Sequence, residues 1–337
     1  MLRWLLGLSA AGGVSLTLVA WWAVAQLAPV TESVSSGASQ AVFVVASGDA
    51  LGPVTRRLEA EGLIRNARVL ELLGRVTGRA ASLRAGEYAL SADLTAPEIL
   101  DRIVEGRIIT YPVVLPEGWT AAQIGARLAA AGFVDEQAFA AVVNDAAFAR
   151  ELGVPADGLE GYLYPETYRM RKGLPAREVA RLMVEHFQAA WAEVQAGAMA
   201  RGMSMHEVVT LASVVEKETG AAEERPMIAS VFHNRLERNM RLESDPTTIY
   251  GIPDFDGNLR RVHLDDSRNR YNTYRHKGLP PGPIASPGLG SLRAVVSPAE
   301  SEFLFFVSRN DGTHKFSKTY REHVNAVNRY QRRVSKR

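Results

Sequence analysis

From Trp4 to Thr31 the chain carries no charged side chain, and most of that stretch is apolar. A helix over residues 4–25 would be about 33 Å long at roughly 1.5 Å per residue, enough to cross a bilayer core of about 30 Å. Trp4 and the Trp21-Trp22 pair stand near its two ends, where amphipathic aromatic rings favour the membrane–water interface. Only Arg3 and the terminal amine carry charge ahead of the run, so residues 1–3 are predicted to stay cytoplasmic and the rest to be exported through a span over residues 4–28. Ala23-Val24-Ala25 also fits the cleavage site of a secretory signal. The apolar run ahead of that site exceeds the roughly 7–15 residues usual for a signal, which favours a retained anchor. Both readings place the remainder outside the cytoplasm. Small polar residues then fill a predicted linker over residues 29–40.

An exported chain of 337 residues without a single cysteine has no disulfide to rely on and no thiol for catalysis or metal binding. Its length suits about two domains, and a 47% hydrophobic composition can fill a sizeable core. A net charge of +2 gives no case for nucleic acid. Arg329, Arg332, Arg333, Lys336 and Arg337 do cluster in or near a basic tail over residues 331–337. They read either as cations favoured at a helix C-terminus or as a contact for an anionic envelope polymer or lipid.

Between residues 41 and 107 the pattern is β-α-α-β followed by a helix. Val42 to Val45 reads as a strand, Ser47-Gly48-Asp49 as a turn, and Leu51, Val54, Leu58 and Leu63 as a helical face. Arg65–Gly74 gives a second helix, and Leu83–Leu90 a turn into a strand. Thr95 caps a third helix carrying Pro97 and Glu98 in its first turn, and Gly106 ends it. The run Phe43-Val44-Val45 with Gly48-Asp49 and Leu51, followed by a helix, resembles LysM-type glycan-binding modules. A plain packing subdomain fits the same pattern. A strand over Ile108–Leu115 then opens a larger mixed domain, residues 108–330, with Thr120 capping a helix over Ala121–Ala131. The predicted class is α+β: a transmembrane helix, a small LysM-like subdomain and a larger mixed α/β domain.

One helix of that domain carries the chemistry. Ser204-Met205-His206-Glu207 is a capping box, and the helix runs through Thr219 to Gly220, a residue type favoured just past helix ends. At about 100° per residue Glu218 falls about 20° from Leu211, within the apolar stripe that includes Val214 and Val215, whereas Glu216 points about 140° away. A lone carboxylate on an apolar stripe costs several kcal/mol unless it is paired or protonated. Two explanations follow. Arg225 or Arg235 could neutralise it as an ion pair, or apolar walls could raise its pKa so that it serves as a proton donor.

Around this helix stands a long series of motifs: Ala212-Ser213-Val214-Val215-Glu216-Lys217-Glu218-Thr219, Glu224-Arg225-Pro226, Val231-Phe232-His233-Asn234-Arg235-Leu236, and Met240 through Asp245-Pro246-Thr247-Thr248-Ile249-Tyr250-Gly251. Tyr271-Asn272-Thr273-Tyr274, Gly278–Ile284 and Ser286-Pro287-Gly288 continue it. In this order they resemble the endolytic murein transglycosylase (YceG-like) family over most of the chain. His233 departs from the aliphatic residue usual there, and Glu243-Ser244 replaces a common Gln-Thr. The resemblance implies a peptidoglycan lytic transglycosylase that cuts the MurNAc–GlcNAc bond of nascent strands and leaves 1,6-anhydro ends, with Glu218 as general acid/base and no cofactor or metal. It also implies action at the periplasmic face of the inner membrane, partnership with peptidoglycan synthases and a role in ending glycan polymerisation.

Further candidates for holding substrate are Asn234, Arg235, Tyr250, Asn272 and Tyr274. Glu166, with the tyrosines of Gly161–Tyr168, could line a sugar groove or belong to the core. Asp245 could stabilise a positive transition state, or cap a helix that starts at Pro246. The Gly278–Gly288 segment has too many prolines and glycines for a helix and suits a rigid cleft wall. Neither G-x-S-x-G nor S-x-x-K occurs, and the seven histidines show no H-x-x-x-H spacing, which argues against serine hydrolases and zinc peptidases. A two-carboxylate hydrolase, with Glu216, Glu223 or Glu224 as partner, and a non-enzymatic envelope-binding scaffold are the remaining rivals.

Overall fold

The computed structural model describes residues 20–31 and 40–332, which form two compact units. One runs up to Tyr111 and takes in Arg169–Lys172; the other holds Pro112–Tyr168 and everything from Gly173. The architecture is mixed α and β, as the patterning indicates.

In the first unit, strand β1 (Ala41–Val45) pairs antiparallel with β2 (Gly86–Leu90), so that Ala41 faces Leu90 and Val45 faces Gly86. Alternation buries Phe43 and Val45 and exposes Val42 and Val44. Gly48 turns the chain with φ +85, a backbone that side chains rarely adopt, into helix α1 (Leu51–Ala60). Helix α2 spans Ala67–Val76 rather than Arg65–Gly74, because the Asn66 side chain accepts from Val69 N and sets the start. Helix α3 (Ala96–Glu105) has the Thr95–Glu98 capping box and stops at Gly106 in the left-handed conformation. Val54, Leu58, Leu70, Tyr88, Leu90 and Ile99 fill the core between them. The buried Tyr88 hydroxyl donates to the Arg84 and Ile103 carbonyls, so its polar end costs little.

Residues 20–26 are helical, with Trp21 and Trp22 exposed, but no described helix is long and apolar enough to cross a membrane. Residues 1–19, most of the anticipated span, lie outside the described residues. The end of the anticipated span and the first residues of the anticipated linker are tied to the first unit. Leu27 packs against the first core and its carbonyl accepts from Ala96 N, while Val30 and Thr31 both donate to Ala92 O. Residues 32–39 lie outside the described part.

Strand β3 is Tyr111–Val114, shorter than the sequence suggests, because Ile109 N already donates to Glu87 O beside β2. Its partner is β4 (Thr167–Met170). The second unit then contains α4 (Ala121–Ala130), α5 (Glu136–Val143), α6 (Ala146–Glu151) and the long α7 (Ala176–Ala200). Thr120 caps α4 as anticipated, through a capping box with Gln123. Helices α8 (Met205–Glu218), α9 (Arg225–Glu237), α10 (Asp245–Tyr250), α11 (Arg261–Asp265) and α12 (Leu289–Val296) follow. A hairpin of β5 (Phe305–Ser308) and β6 (His314–Ser317), then α13 (Tyr320–Val327), complete it. Helix α8 is buried on every face from Val208 to Val215 because α7, α9, α10 and α12 all pack on it. Arg329 and Arg332 lie in the final described turn; residues 333–337 are outside it.

Candidate active site

Helix α8 begins at the Ser204 capping box and delivers Glu218 in its last turn. The helix ends because Thr219 turns extended, at φ −144, and its hydroxyl accepts from Ala221 N. Gly220, anticipated as the terminator, does not take a left-handed conformation. Glu218 therefore sits where the buried helix meets open space, at the wall of a cleft of about 410 Å³.

The carboxyl accepts a 2.5 Å hydrogen bond from the Ser244 hydroxyl. Ser244 occupies the N-cap position of α10 yet makes no cap bond with its side chain, so its hydroxyl is free for Glu218. Its backbone is fixed separately: Ser244 N donates to Thr273 Oγ1 and the Thr247 hydroxyl donates to Ser244 O. The residue before it, Glu243, has a left-handed backbone at φ 52, a strain of about 1–2 kcal/mol in a non-glycine residue. Burial pushes the Glu218 pKa up to about 7, and the nearby Asp245 charge pushes the same way, against the Ser244 hydrogen bond and the Arg235 charge.

The ion-pair explanation goes to the other glutamate of the triplet. Arg225 bonds Glu216 at 2.8 Å and Glu117 at 3.0 Å, and Gly288 N donates to the second Glu216 oxygen. Glu224 pairs instead with His314. Arg235, on α9, is buried and donates to the Leu304, Arg241 and Leu242 carbonyls and to Glu243. It borders the cleft and tempers Glu218 through charge without forming an ion pair with it among the described residues.

Asp245 is the first residue of α10, not its cap, and Pro246 follows as the second. The capping explanation is thus corrected. Its carboxylate accepts from the Tyr274 hydroxyl at 2.7 Å, and both side chains line the cleft. Glu218, Arg235, Asp245 and Tyr274 are therefore brought together.

The other candidates are not. Asn272 is fully buried; its amide donates to the His263, Leu264 and Asp266 carbonyls and its oxygen accepts from Thr248 and Tyr274 N, so every polar atom is used in holding the loop. Asn234 donates to the Ser301 and Phe303 carbonyls, fastening the approach to β5. Glu166 is exposed and bonds His186. Tyr250 donates to Glu160 in a separate cavity of about 280 Å³. His233 donates to or accepts nothing from the cleft; its Nε2 meets the Val295 carbonyl, tying α9 to α12.

Glu160, unremarked in the sequence, is the second carboxyl that burial lifts to about 7. Both its oxygens accept from Ala121 N at the start of α4 and one accepts from Tyr250, so it is committed to structure. Sequence reading also misses Ser244 as a partner of Glu218, and misses the part of the same cleft lined by β5, β6 and the start of α13. The available signal for that part was the apolar run Phe303–Val307. Among the described residues no three histidine, aspartate or glutamate side chains converge to bind a metal.

A proton-exchanging carboxyl, a second carboxylate and an aromatic wall in one cleft fit acid–base chemistry on a polyhydroxylated substrate. Comparison with known proteins places the chain in a family. The chain is 27% identical over 303 residues to an endolytic murein transglycosylase of Bacillus subtilis, covering 85% of this chain and 83% of that protein. It is 26% identical over 294 residues to the endolytic murein transglycosylase of Streptococcus pneumoniae, covering 78% of this chain and 53% of that longer protein. A crystal structure of a YceG-like protein from Listeria monocytogenes superposes with a TM-score of 0.60 at 30% identity, covering 85% of this chain and 98% of the other. With the YceG-like family model matching residues 43–329 as well, the chain belongs to the YceG-like family.

Proposed function

We propose that this protein is a lytic transglycosylase, a lyase that cuts peptidoglycan glycan strands internally, with Glu218 as both acid and base. The carrying observation is the Glu218 carboxyl, lifted to about 7 in the wall of the cleft and held by Ser244. The names of the bacillar and streptococcal relatives support the substrate and the reaction.

With Oε1 occupied by the Ser244 hydroxyl, the proton of neutral Glu218 rides on Oε2. It passes to the glycosidic oxygen between N-acetylmuramic acid and N-acetylglucosamine as the C1–O bond breaks. The Asp245 carboxylate, aimed by Tyr274, offsets the positive charge growing on the ring. Glu218, now a carboxylate, takes the proton of the C6 hydroxyl, whose oxygen closes on C1 to form the 1,6-anhydro ring. The proton balance returns to its starting point and no water is consumed. Arg235 keeps the pKa of Glu218 from rising further.

The uncharged run at residues 4–28, with exposed Trp21 and Trp22 in its second half, supports an inner-membrane anchor with both units on the periplasmic side. Cutting there, beside nascent strands and their synthases, would end glycan polymerisation. The first unit, with its LysM-like order of elements, would help hold glycan. Asp245 in the same cleft gives a two-carboxylate hydrolase its footing as second reading. Mass spectrometry of digested, purified glycan strands separates them: anhydro-muramyl ends support the transglycosylase, hydrated reducing ends the hydrolase, and uncut strands a scaffold.

A further inference from the structure

We propose that Phe305, Tyr320 and His323 form a saccharide-stacking subsite that holds an N-acetylhexosamine ring of the glycan strand beside Glu218. The proposal rests on the glycan-cleaving reading and adds where one sugar sits and what grips it.

Three observations carry it. Tyr320, the first residue of α13, is 68% exposed although its backbone is firmly fixed by the Thr319–Glu322 capping box, so an aromatic face is held out rather than folded in. Its ring lies 5.9 Å from that of Phe305, which in turn stacks with His323 at 5.2 Å and 25° and carries the Arg235 guanidinium at 5.1 Å. The three rings thus make one continuous wall of the cleft that holds Glu218. Finally, His323 Nδ1 is shut away from solvent and has no hydrogen-bond partner among the described residues. Buried polar atoms are nearly always paired, so this one lacks its usual compensation, and a turn of the imidazole toward the cleft it lines would let an outside donor or acceptor supply it. Burial and the neighbouring Arg235 charge lower the His323 pKa, leaving a neutral ring that can play either role.

A pyranose chair presents apolar C–H faces and a polar rim, which matches aromatic rings beside one orphaned nitrogen. The same cleft also bears Glu218, Glu243 and Asp245. The Glu243 and Asp245 carboxylates accept from sugar hydroxyls and, unlike the neutral Glu218, repel an acidic peptide, which favours the saccharide over the peptide stem as occupant.

The test is binding to the Glu218→Gln protein, so that no cleavage intervenes. A peptide-free GlcNAc–MurNAc oligosaccharide is titrated into that variant alone and combined with Tyr320→Ala, Tyr320→Phe or His323→Ala. Tyr320→Ala should weaken binding roughly three- to tenfold and Tyr320→Phe should keep it near the parent, since the ring does the stacking. His323→Ala should also weaken it. Tyr320 is exposed, so its truncation leaves no core cavity. Equal affinities for the Ala and parent proteins overturn the proposal, as does absence of saccharide binding or undiminished competition by a free stem peptide. Wild-type digestion of the same strands tests the catalytic reading separately. If strands are cut to anhydro ends while Tyr320→Ala binding is unchanged, the subsite alone falls. Tyr320-dependent binding with uncut strands removes the enzyme reading and leaves the subsite.

Discussion

Glu218 binds its proton more tightly in the folded protein than in the unfolded chain, which has consequences for rate and for stability. As the acid it must start protonated, so kcat/KM should fall as pH rises through about 7, the value to which burial lifts it. Glu218→Gln should lower the rate by roughly 10²–10⁴-fold, read by release of anhydro-ended products. Folding stability moves with the same group. Between pH 4.5, where the carboxyl titrates in the unfolded chain, and about 7, the folded state holds the extra proton, so wild-type stability drops as pH rises. The Gln variant lacks that loss and should be the more stable by something on the order of 1–3 kcal/mol at pH 8 in denaturant titrations, with no advantage from this source below pH 4.5. Ser244 acts through Glu218 and is a positioning residue. Because its hydrogen bond lowers the Glu218 pKa, Ser244→Ala should move the alkaline limb of the pH–rate profile upward, while Ser244→Thr, which keeps the hydroxyl, restores it. An unmoved limb would count against the hydrogen bond as the means of tuning.

Among elements, the loop carrying Tyr274 matters most. Asn272 binds three carbonyls with one amide and is fully buried, so Asn272→Ala should cost about 2–4 kcal/mol by leaving those groups unpaired. Thermal denaturation measures this, and activity should fall with it because Tyr274 and Asp245 lose their register. Gly161 has φ +83, and a Cβ there would come within 2.3 Å of Pro283 in the proline-rich segment. Gly161→Ala should therefore destabilise the second unit by more than about 1 kcal/mol through backbone strain alone. Much at this scale was legible. The Ser204, Thr120 and Thr95 caps follow from residues three apart that can bond one another, a local matter. What failed were inferences needing a distant partner. Asp245-Pro246 looks like a cap followed by the first helical residue, but Tyr274, far along the chain, takes the aspartate, and the helix starts one residue earlier.

At the scale of the molecule, each unit owns a buried core. Leu70→Ala, in the first, should cost about 2–5 kcal/mol, with hydrogen exchange losing protection among the amides of β1, β2 and α1–α3. The 337-residue chain should fractionate with membranes and a chain begun at residue 29 should not, if the uncharged run is an anchor. The sequence by itself determined the units of local order: helix starts, the alternation of β1, the uncharged N-terminal run, and the placement of Glu218 on an apolar face. These follow from backbone sterics, side-chain period and hydrophobicity, which neighbours in sequence suffice to express. Only the tertiary structure decided which charges neutralise one another and which stay unpaired. Arg225 chose Glu216, Asn272 and Asn234 turned to carbonyls, and Ser244 reached Glu218 from 26 residues away. Such pairings depend on distances set by packing, and a hydrogen bond a few ångströms long has no signature in residues that lie apart along the chain.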